Sequence, residues 1–299
     1  MTETRDRFTL ITVNAWDLYA ATGESSEARY RALEEWLARQ DADAVGISEI
    51  IADGEGREAK AAGAEAGLRR LAKATGMECE IAGEPIVATG GIVHHTGLLY
   101  RSCPEIRPRP GSIHRLEREM AGMWHCAVSA IFEFNGRPLR VMSLQLSPFD
   151  PAWRAADALQ ILRTVNKGDV PAVIGGDFNC VSLTDPDPYA GVEWHPDHVY
   201  QLDIDGQLDR HAAIRLERQG RMRDCAELAG VELEATTGHA AVDHHPPRRI
   251  DRWLATHQLP AAVVAGYRVT PLGDLLHADD YLTDHRPVTL EINANAIPL

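Results

Sequence analysis

The run Ala172-Val173-Ile174-Gly175-Gly176-Asp177-Phe178-Asn179 leaves this chain few folds to choose from. Three consecutive apolar residues read as a buried strand, and the two glycines after them mark a tight loop. That loop presents an acid and an amide, Asp177 and Asn179, side by side at a strand end. Toward the other end of the chain, Thr283-Asp284-His285-Arg286-Pro287 delivers an acid and an imidazole just ahead of another β-rich run, Val288-Thr289-Leu290-Glu291-Ile292. Two acid-plus-partner pairs at strand ends point to metal-assisted hydrolysis at phosphorus. That chemistry needs carboxylates for a divalent cation, a base or water-orienting group, and neutral donors for phosphoryl oxygens.

Periodicity supplies the rest of the layout. Strands are expected near 8–13, 44–49, 97–101, 125–134, 139–146, 171–176, 249–255, 262–270 and 286–292, with helices near 26–39, 56–75, 151–165 and 208–219. In the first helix Tyr30, Leu33, Trp36 and Leu37 share one face. Asn135-Gly136 between two strand-like runs signals a hairpin. Many strands with a few intercalated helices fit two packed sheets with helices outside. No Ser/Gly- or Pro-rich linker interrupts the chain and the motifs fall in both halves, so residues 1–299 read as a single domain.

Two further pieces complete a set. The first strand, Phe8-Thr9-Leu10-Ile11-Thr12-Val13, ends in Asn14-Ala15-Trp16, and the second, Ala44-Val45-Gly46-Ile47-Ser48, ends in Glu49. With Arg249-Ile250-Asp251-Arg252-Trp253 and the two loops above, they resemble, in order, the motifs of the endonuclease/exonuclease/phosphatase superfamily. That group includes DNase I-like nucleases, abasic-site endonucleases, inositol-polyphosphate phosphatases and neutral sphingomyelinases. The resemblance runs from Asn14 to His285. It implies a four-layer α/β/β/α sandwich, two packed and mostly antiparallel sheets flanked by helices, with the motif residues converging at one mouth.

The resemblance also implies roles. Glu49 is expected to be the principal ligand of Mg²⁺ or Mn²⁺, with Asn14 and Asp284 in its inner or outer shell, since a hard cation prefers oxygen ligands. Asp177 is the candidate for positioning or deprotonating the attacking water, and Asn179 for donating to a non-bridging phosphoryl oxygen. His285 would serve as base or cationic donor, with Asp251 fixing its tautomer and raising its pKa. One position departs from the family pattern. Many relatives carry a His or Tyr at the end of the strand that here reads Val141-Met142-Ser143-Leu144-Gln145, and Gln145 can donate a hydrogen bond but cannot protonate a leaving alkoxide.

Composition narrows partners. With 30 Lys+Arg against 44 Asp+Glu, a formal net charge of −14 opposes non-specific binding of nucleic acid. The one Arg-rich stretch, Arg101 to Arg118, reads as a solvated loop or, alternatively, as a substrate-contacting one. The five cysteines show no paired spacing, and the polar segment before Phe8 has no apolar core, so a cytoplasmic setting without membrane contact is expected. Cys180 reads as a small buried hydrophobe.

Residues 181–207 are too irregular for a helix or strand and follow Asn179 directly, which suits a pocket-forming loop with Trp194 and His195 as contacts. Arg249 is a third candidate contact. The segment His239–His245 resembles a zinc cluster only superficially, because no ligand spacing within it completes one. His94-His95 read as structural or exposed residues, with a place at the pocket rim as the alternative. The expected function is divalent-metal-dependent phosphoester hydrolysis, favouring a small phosphorylated metabolite or nucleotide. A DNA endonuclease or exonuclease is the alternative, and a repurposed, non-hydrolytic member a further one.

Overall fold

The computed structural model describes residues 5–20, 23–166, 168–278 and 280–299, so the first four residues of the polar N-terminal segment lie outside the described chain. Two sheets carry the architecture. The first has six strands in the order Val264–Val269, Val288–Asn293, Arg7–Leu18, Ala44–Ile51, His94–Tyr100 and Val87–Thr89. The second runs Arg223–Asp224, Asp251–Ala255, Ala172–Asp177, Arg137–Gln145, Cys126–Phe134 and Ile106–Pro108, with His114–Leu116 also on Cys126–Phe134. Neighbours are antiparallel except for one parallel pair per sheet, Arg7–Leu18 with Ala44–Ile51 and Arg137–Gln145 with Ala172–Asp177.

Strand alternation explains the layers. Phe8 and Leu10 of the first sheet join Leu139, Val141, Val173 and Trp253 of the second in a core between the sheets. Ile11, Val13, Val45 and Ile47 point the other way, onto Tyr30, Leu33 and Trp36 of helix Glu24–Arg39 and Leu68 of helix Gly56–Thr75. Met142, Leu144 and Ile174 leave the second sheet toward Ile161 of helix Pro151–Val165 and Leu216. The result is the α/β/β/α order that the motifs implied. Asp150 caps the Pro151–Val165 helix by accepting from the amides of Ala152 and Trp153, with proline at its first position.

Gly175 and Gly176 are required by packing. A Cβ on Gly175 would stand 2.6 Å from the Trp253 indole, and Gly176 has a φ of 150° with its missing Cβ 1.9 Å from the Leu144 carbonyl oxygen. Differences from the expected elements are local. The 208–219 helix begins only at His211 and continues as a π-turn over Ile214–Gln219, because Leu208 bridges to Leu202 and Asp209 turns back onto the His211 amide. The 249–255 strand starts at Asp251, since the Arg248 carbonyl is held by the Thr236 amide. The 262–270 strand shortens to Val264–Val269 behind a 3₁₀ turn at Ala261–Val263.

Candidate active site

Continuing the alternation past the core sends four polar residues to the seam between the sheets. Phe8 and Leu10 lead to Asn14, Leu139 and Val141 to Gln145, Val173 to Asp177, and Trp253 back to Asp251. All four are 2–3% exposed, and they close the seam where both parallel pairs end. Glu49 would face outward by the same rule. A bulge between Ile47 and Ile50 and a left-handed φ of 63° at Glu49 turn its carboxylate inward. A non-glycine residue in that region carries backbone strain and is found where the surroundings enforce it.

The carboxylates are joined by amides. Asn14 Nδ2 donates to Glu49 Oε1 at 2.8 Å and to Asp177 Oδ2 at 3.2 Å, which ties the two sheets together. Gln145 Nε2 donates to Glu49 Oε1 at 2.7 Å. Asn179, at a left-handed φ of 49°, closes a tight turn in which its backbone amide donates to Asp177 Oδ1 at 2.8 Å. Its side-chain Nδ2 donates to Asp177 Oδ2 at 3.0 Å and to the Leu146 carbonyl at 2.9 Å. Both amide hydrogens of Asn179 are therefore engaged, and the expected free donor for a phosphoryl oxygen is not what this geometry presents. Asn14 likewise turns its NH₂ to the carboxylates and its Oδ1 to the Trp16 amide, so it bridges Glu49 and Asp177.

The last two members arrive from the C-terminal part of the chain. His285 Nδ1 lies 2.8 Å from Asp251 Oδ2, which also accepts from Thr236 Oγ1 at 2.8 Å. Thr283 places the loop by accepting from the His285 amide and donating to the Asn14 carbonyl at 2.6 Å. One ligand atom each of Asp177, Asp251 and His285 falls within 4.8 Å of the others. Burial works against charge on His285, but Asp251 and Asp284 outweigh it and push the imidazole well above its ordinary pKa. Burial, together with the Asp251 charge, raises Asp177 to about 6. Burial raises Asp284 to about 7, with Glu49 among the neighbouring carboxylates that add to it.

These residues fit a divalent cation. The site gathers Glu49, Asp177, Asp251 and Asp284 around one imidazole, and the buried atoms Asp284 Oδ1 and Gln145 Oε1 have no hydrogen-bond partner among the described residues. Oxygen donors at Glu49 and Asp284 suit a hard ion.

Sequence reasoning missed Asp17 and half-missed His94. Left-handed backbone at Trp16 and Asp17 folds the chain back after Asn14, so the Asp17 amide donates to Glu49 Oε2 at 3.1 Å. His94 Nε2 meets Asp17 Oδ1 at 3.0 Å, and a ligand atom of each lies within 4.8 Å of one on Glu49. His94 thus takes the rim position. His95 is structural: its Nδ1 accepts from the Gly90 amide and its Nε2 faces the Ala52 carbonyl. The only clue to Asp17 was its closeness to Asn14 in sequence.

Three expectations need correction or limits. Arg249 is 4% exposed, with its guanidinium against Asp185 and Asp224 at 2.8 Å each; it anchors the 181–185 segment and offers no free fork to a substrate. Trp194 is 67% exposed, and His195 caps a 3₁₀ turn, Pro196–Gln201, that the irregular sequence concealed; among the described residues neither makes a hydrogen bond or ion pair with Glu49, Asp177, Asp251, Asp284 or His285. The Arg-rich stretch forms edge strands of the second sheet, with Arg109 paired to Glu133 and Arg115 to Glu84. Cys180 is fully buried with its thiol pKa raised by burial, as a small core residue should be.

A two-sheet sandwich that gathers acids and amides at the ends of its parallel strands, with an Asp–His pair beside them, defines the DNase I-like class. The Endonuclease/Exonuclease/phosphatase family signature matches residues 11–285, and the chain belongs to that family. Among solved structures, humanized D. rerio TDP2 carrying 14 mutations is similar over 97% of this chain and 100% of its own, at 18% identity and a TM-score of 0.63. An endonuclease/exonuclease/phosphatase from Bacteroides vulgatus is similar over 96% and 99%, at 15% identity and 0.63. The mannosyl-6-phosphatase Bt3783 of Bacteroides thetaiotaomicron is similar over 95% and 99%, at 15% identity and 0.61. No curated protein matched the chain in sequence.

Proposed function

We propose that this chain is a divalent-metal-dependent phosphoester hydrolase whose substrate is a small phosphorylated metabolite or nucleotide. The observation that carries this reading is Asp177. It lies between the Glu49 group, through Asn14, and the Asp251–His285 pair, so one carboxylate is held against both halves of the site. Glu49 and Asp284 would hold Mg²⁺ or Mn²⁺, with Asn14 positioning Glu49 from the outer shell. When bound, the ion supplies positive charge to phosphoryl oxygens.

The chain's own residues do the rest. Asp177, its lone pairs aimed by two Asn179 donors, orients the attacking water and accepts its proton. Protonated His285, kept charged by Asp251, donates to a phosphoryl oxygen and stabilises the charge that builds there. Gln145 positions Glu49 and provides no leaving-group acid, which favours esters whose leaving oxygen needs little help. The acidic net charge supports a small substrate, and a mannosyl-6-phosphatase has the same fold. D. rerio TDP2, solved with a single-strand DNA product, keeps nuclease activity as the second reading. Site residues drawn from both halves support one domain over 1–299. The free cysteines, Cys79, Cys103, Cys126, Cys180 and Cys225, support a reducing, cytoplasmic setting, and among the described residues no helix is long and apolar enough to cross a membrane.

The test is a screen of sugar phosphates, nucleotides, phosphodiesters and single- and double-stranded DNA, each with Mg²⁺, Mn²⁺ or a chelator. Turnover of a small ester that the chelator abolishes is expected. Metal-independent turnover, or cleavage of DNA alone, would overturn the reading.

A further inference from the structure

Spacing within His239–His245 is too poor for a metal site, but the fold brings a second loop beside it. The rings of His195 and His244 stack with centroids 4.5 Å apart, and ligand atoms of His195, Asp197 and His244 all lie within 4.8 Å of one another. His195 Nδ1 and Asp197 Oδ2 are 3.4 Å apart. Metal bonds of about 2.0–2.1 Å in a tetrahedron put adjacent ligands about 3.3 Å apart, close to that separation, and an ion held there would take the Nδ1 lone pair that now accepts from the Asp197 amide at 3.3 Å.

We propose that His195, Asp197 and His244 form a second metal centre, selective for Zn²⁺ or a similar transition-metal ion, that clamps the turn at 195–198 to the 239–245 loop.

The two backbones are fixed independently of any ion. The His195 amide donates to His198 Nδ1 at 3.3 Å. His198 Nε2 faces the His244 carbonyl at 3.1 Å, which joins the loops. On the second loop Asp243 accepts from the amides of Gly238 and His245 and pairs with Arg248 at 3.0 Å. The Tyr189 hydroxyl lies 2.8 Å from His245 Nδ1. Side-chain rotations of partly exposed groups and the exchange of one cap contact for a metal bond remain to be made.

Donor chemistry separates this centre from the one at Glu49. Two imidazoles and one carboxylate suit zinc and its neighbours, whereas the carboxylates Glu49 and Asp284 suit Mg²⁺ or Mn²⁺. Three protein ligands also leave one coordination position open. His239 Nε2, at the start of the same loop, faces the Thr283 carbonyl at 3.5 Å, so the 239–245 loop stands on the Asp284 flank of the candidate active site. The proposal does not depend on the phosphoesterase reading.

Zinc binding to the full chain, measured by calorimetry with excess Mg²⁺ present, tests it. One zinc equivalent is expected in the wild type and in Glu49→Gln. His195→Ala and His244→Ala should each weaken it by more than about 100-fold, beyond the range lost with an outer-shell partner, and Asp197→Asn should also weaken it. Circular dichroism checks that the variants fold. Cobalt(II) in the wild-type chain gives an independent reading, with the visible bands of a four-coordinate N/O site expected. Uptake only at large zinc excess, loss of zinc in Glu49→Gln, equal binding by the His195→Ala/His244→Ala double variant, or a six-coordinate cobalt spectrum would each overturn the second centre.

Discussion

Asp177 carries two demands that conflict: it is buried beside other acids, yet its proposed work needs a free carboxylate. Burial and the Asp251 charge hold its pKa at about 6. Asp177→Asn and His285→Ala should each lower turnover of the substrate found by the screen by about 10²–10⁴; near wild-type rates would remove that residue from the reaction. The same groups bear on stability in metal-free protein. Asp177 and Asp284 rise from 3.8 to about 6 and about 7, so between those limits the folded state holds protons that the unfolded chain has released. Each therefore contributes a loss of stability as pH climbs through that window. His285, raised above 6.5, acts with the same sign in a higher window: its contribution is complete below 6.5 and disappears as pH passes its folded value. Asp284→Asn should thus gain on the wild type as pH rises from about 4 to 8 without metal, read as urea midpoints. A difference that stays flat with pH would mean Asp284 is not buried as an acid.

At the scale of elements, Gly176 is the most demanding position. Any side chain there meets the Leu144 carbonyl on the neighbouring strand and must adopt a φ of 150°. Gly176→Ala should cost about 2–4 kcal/mol by chemical denaturation, with turnover falling as Asp177 shifts; an unchanged midpoint would show that the strand can yield. Gly-Gly before Asp177 was legible as a tight place, and strand alternation made Asn14, Gln145, Asp177 and Asp251 readable as one face. Glu49 was legible as a strand-end acid, but its inward aim depends on a bulge and a left-handed residue, which no period-two pattern encodes. Asp17 escaped for the same reason, and His94 was placed at the rim only as an alternative, since backbone reversal after Asn14 sets their approach. Arg249 failed differently. A cation next to a catalytic motif looks like a substrate ligand until its partners, Asp185 and Asp224, fold in from distant segments. The His195–His244 stack was invisible because its members lie in separate loops.

For the whole molecule, charge is the decisive quantity. The chain carries a formal net charge of −14, and the Arg-rich stretch lies along the edge of the second sheet with acids beside Arg101, Arg109 and Arg115. Turnover of a small ester should depend weakly on ionic strength, while any cleavage of duplex DNA should be slow and fall steeply as salt rises. Kinetics on both substrates at low and moderate salt check this. Efficient DNA cleavage that tolerates moderate salt would show that local geometry outweighs the overall field. The seam between the sheets makes such a site depend on long-range closure, since Asn14 bonds to Asp177 and Thr283 bonds to Asn14.

The turn around Asp203–Gly206 divides that closure in a particular way. Ile204 is fully exposed there, and everything before it supplies Asn14, Glu49, Gln145 and Asp177, whereas everything after it supplies Asp251, Asp284 and His285. The later portion adds two strands to one edge of each sheet: Val264–Val269 and Val288–Asn293 to the first, Arg223–Asp224 and Asp251–Ala255 to the second. A chain severed at Ile204 therefore yields one fragment with the acids and amides and another with the Asp–His pair. On the proposed mechanism neither fragment would be competent alone, and reunion by edge pairing would make the protein a natural split reporter, silent until its two pieces meet.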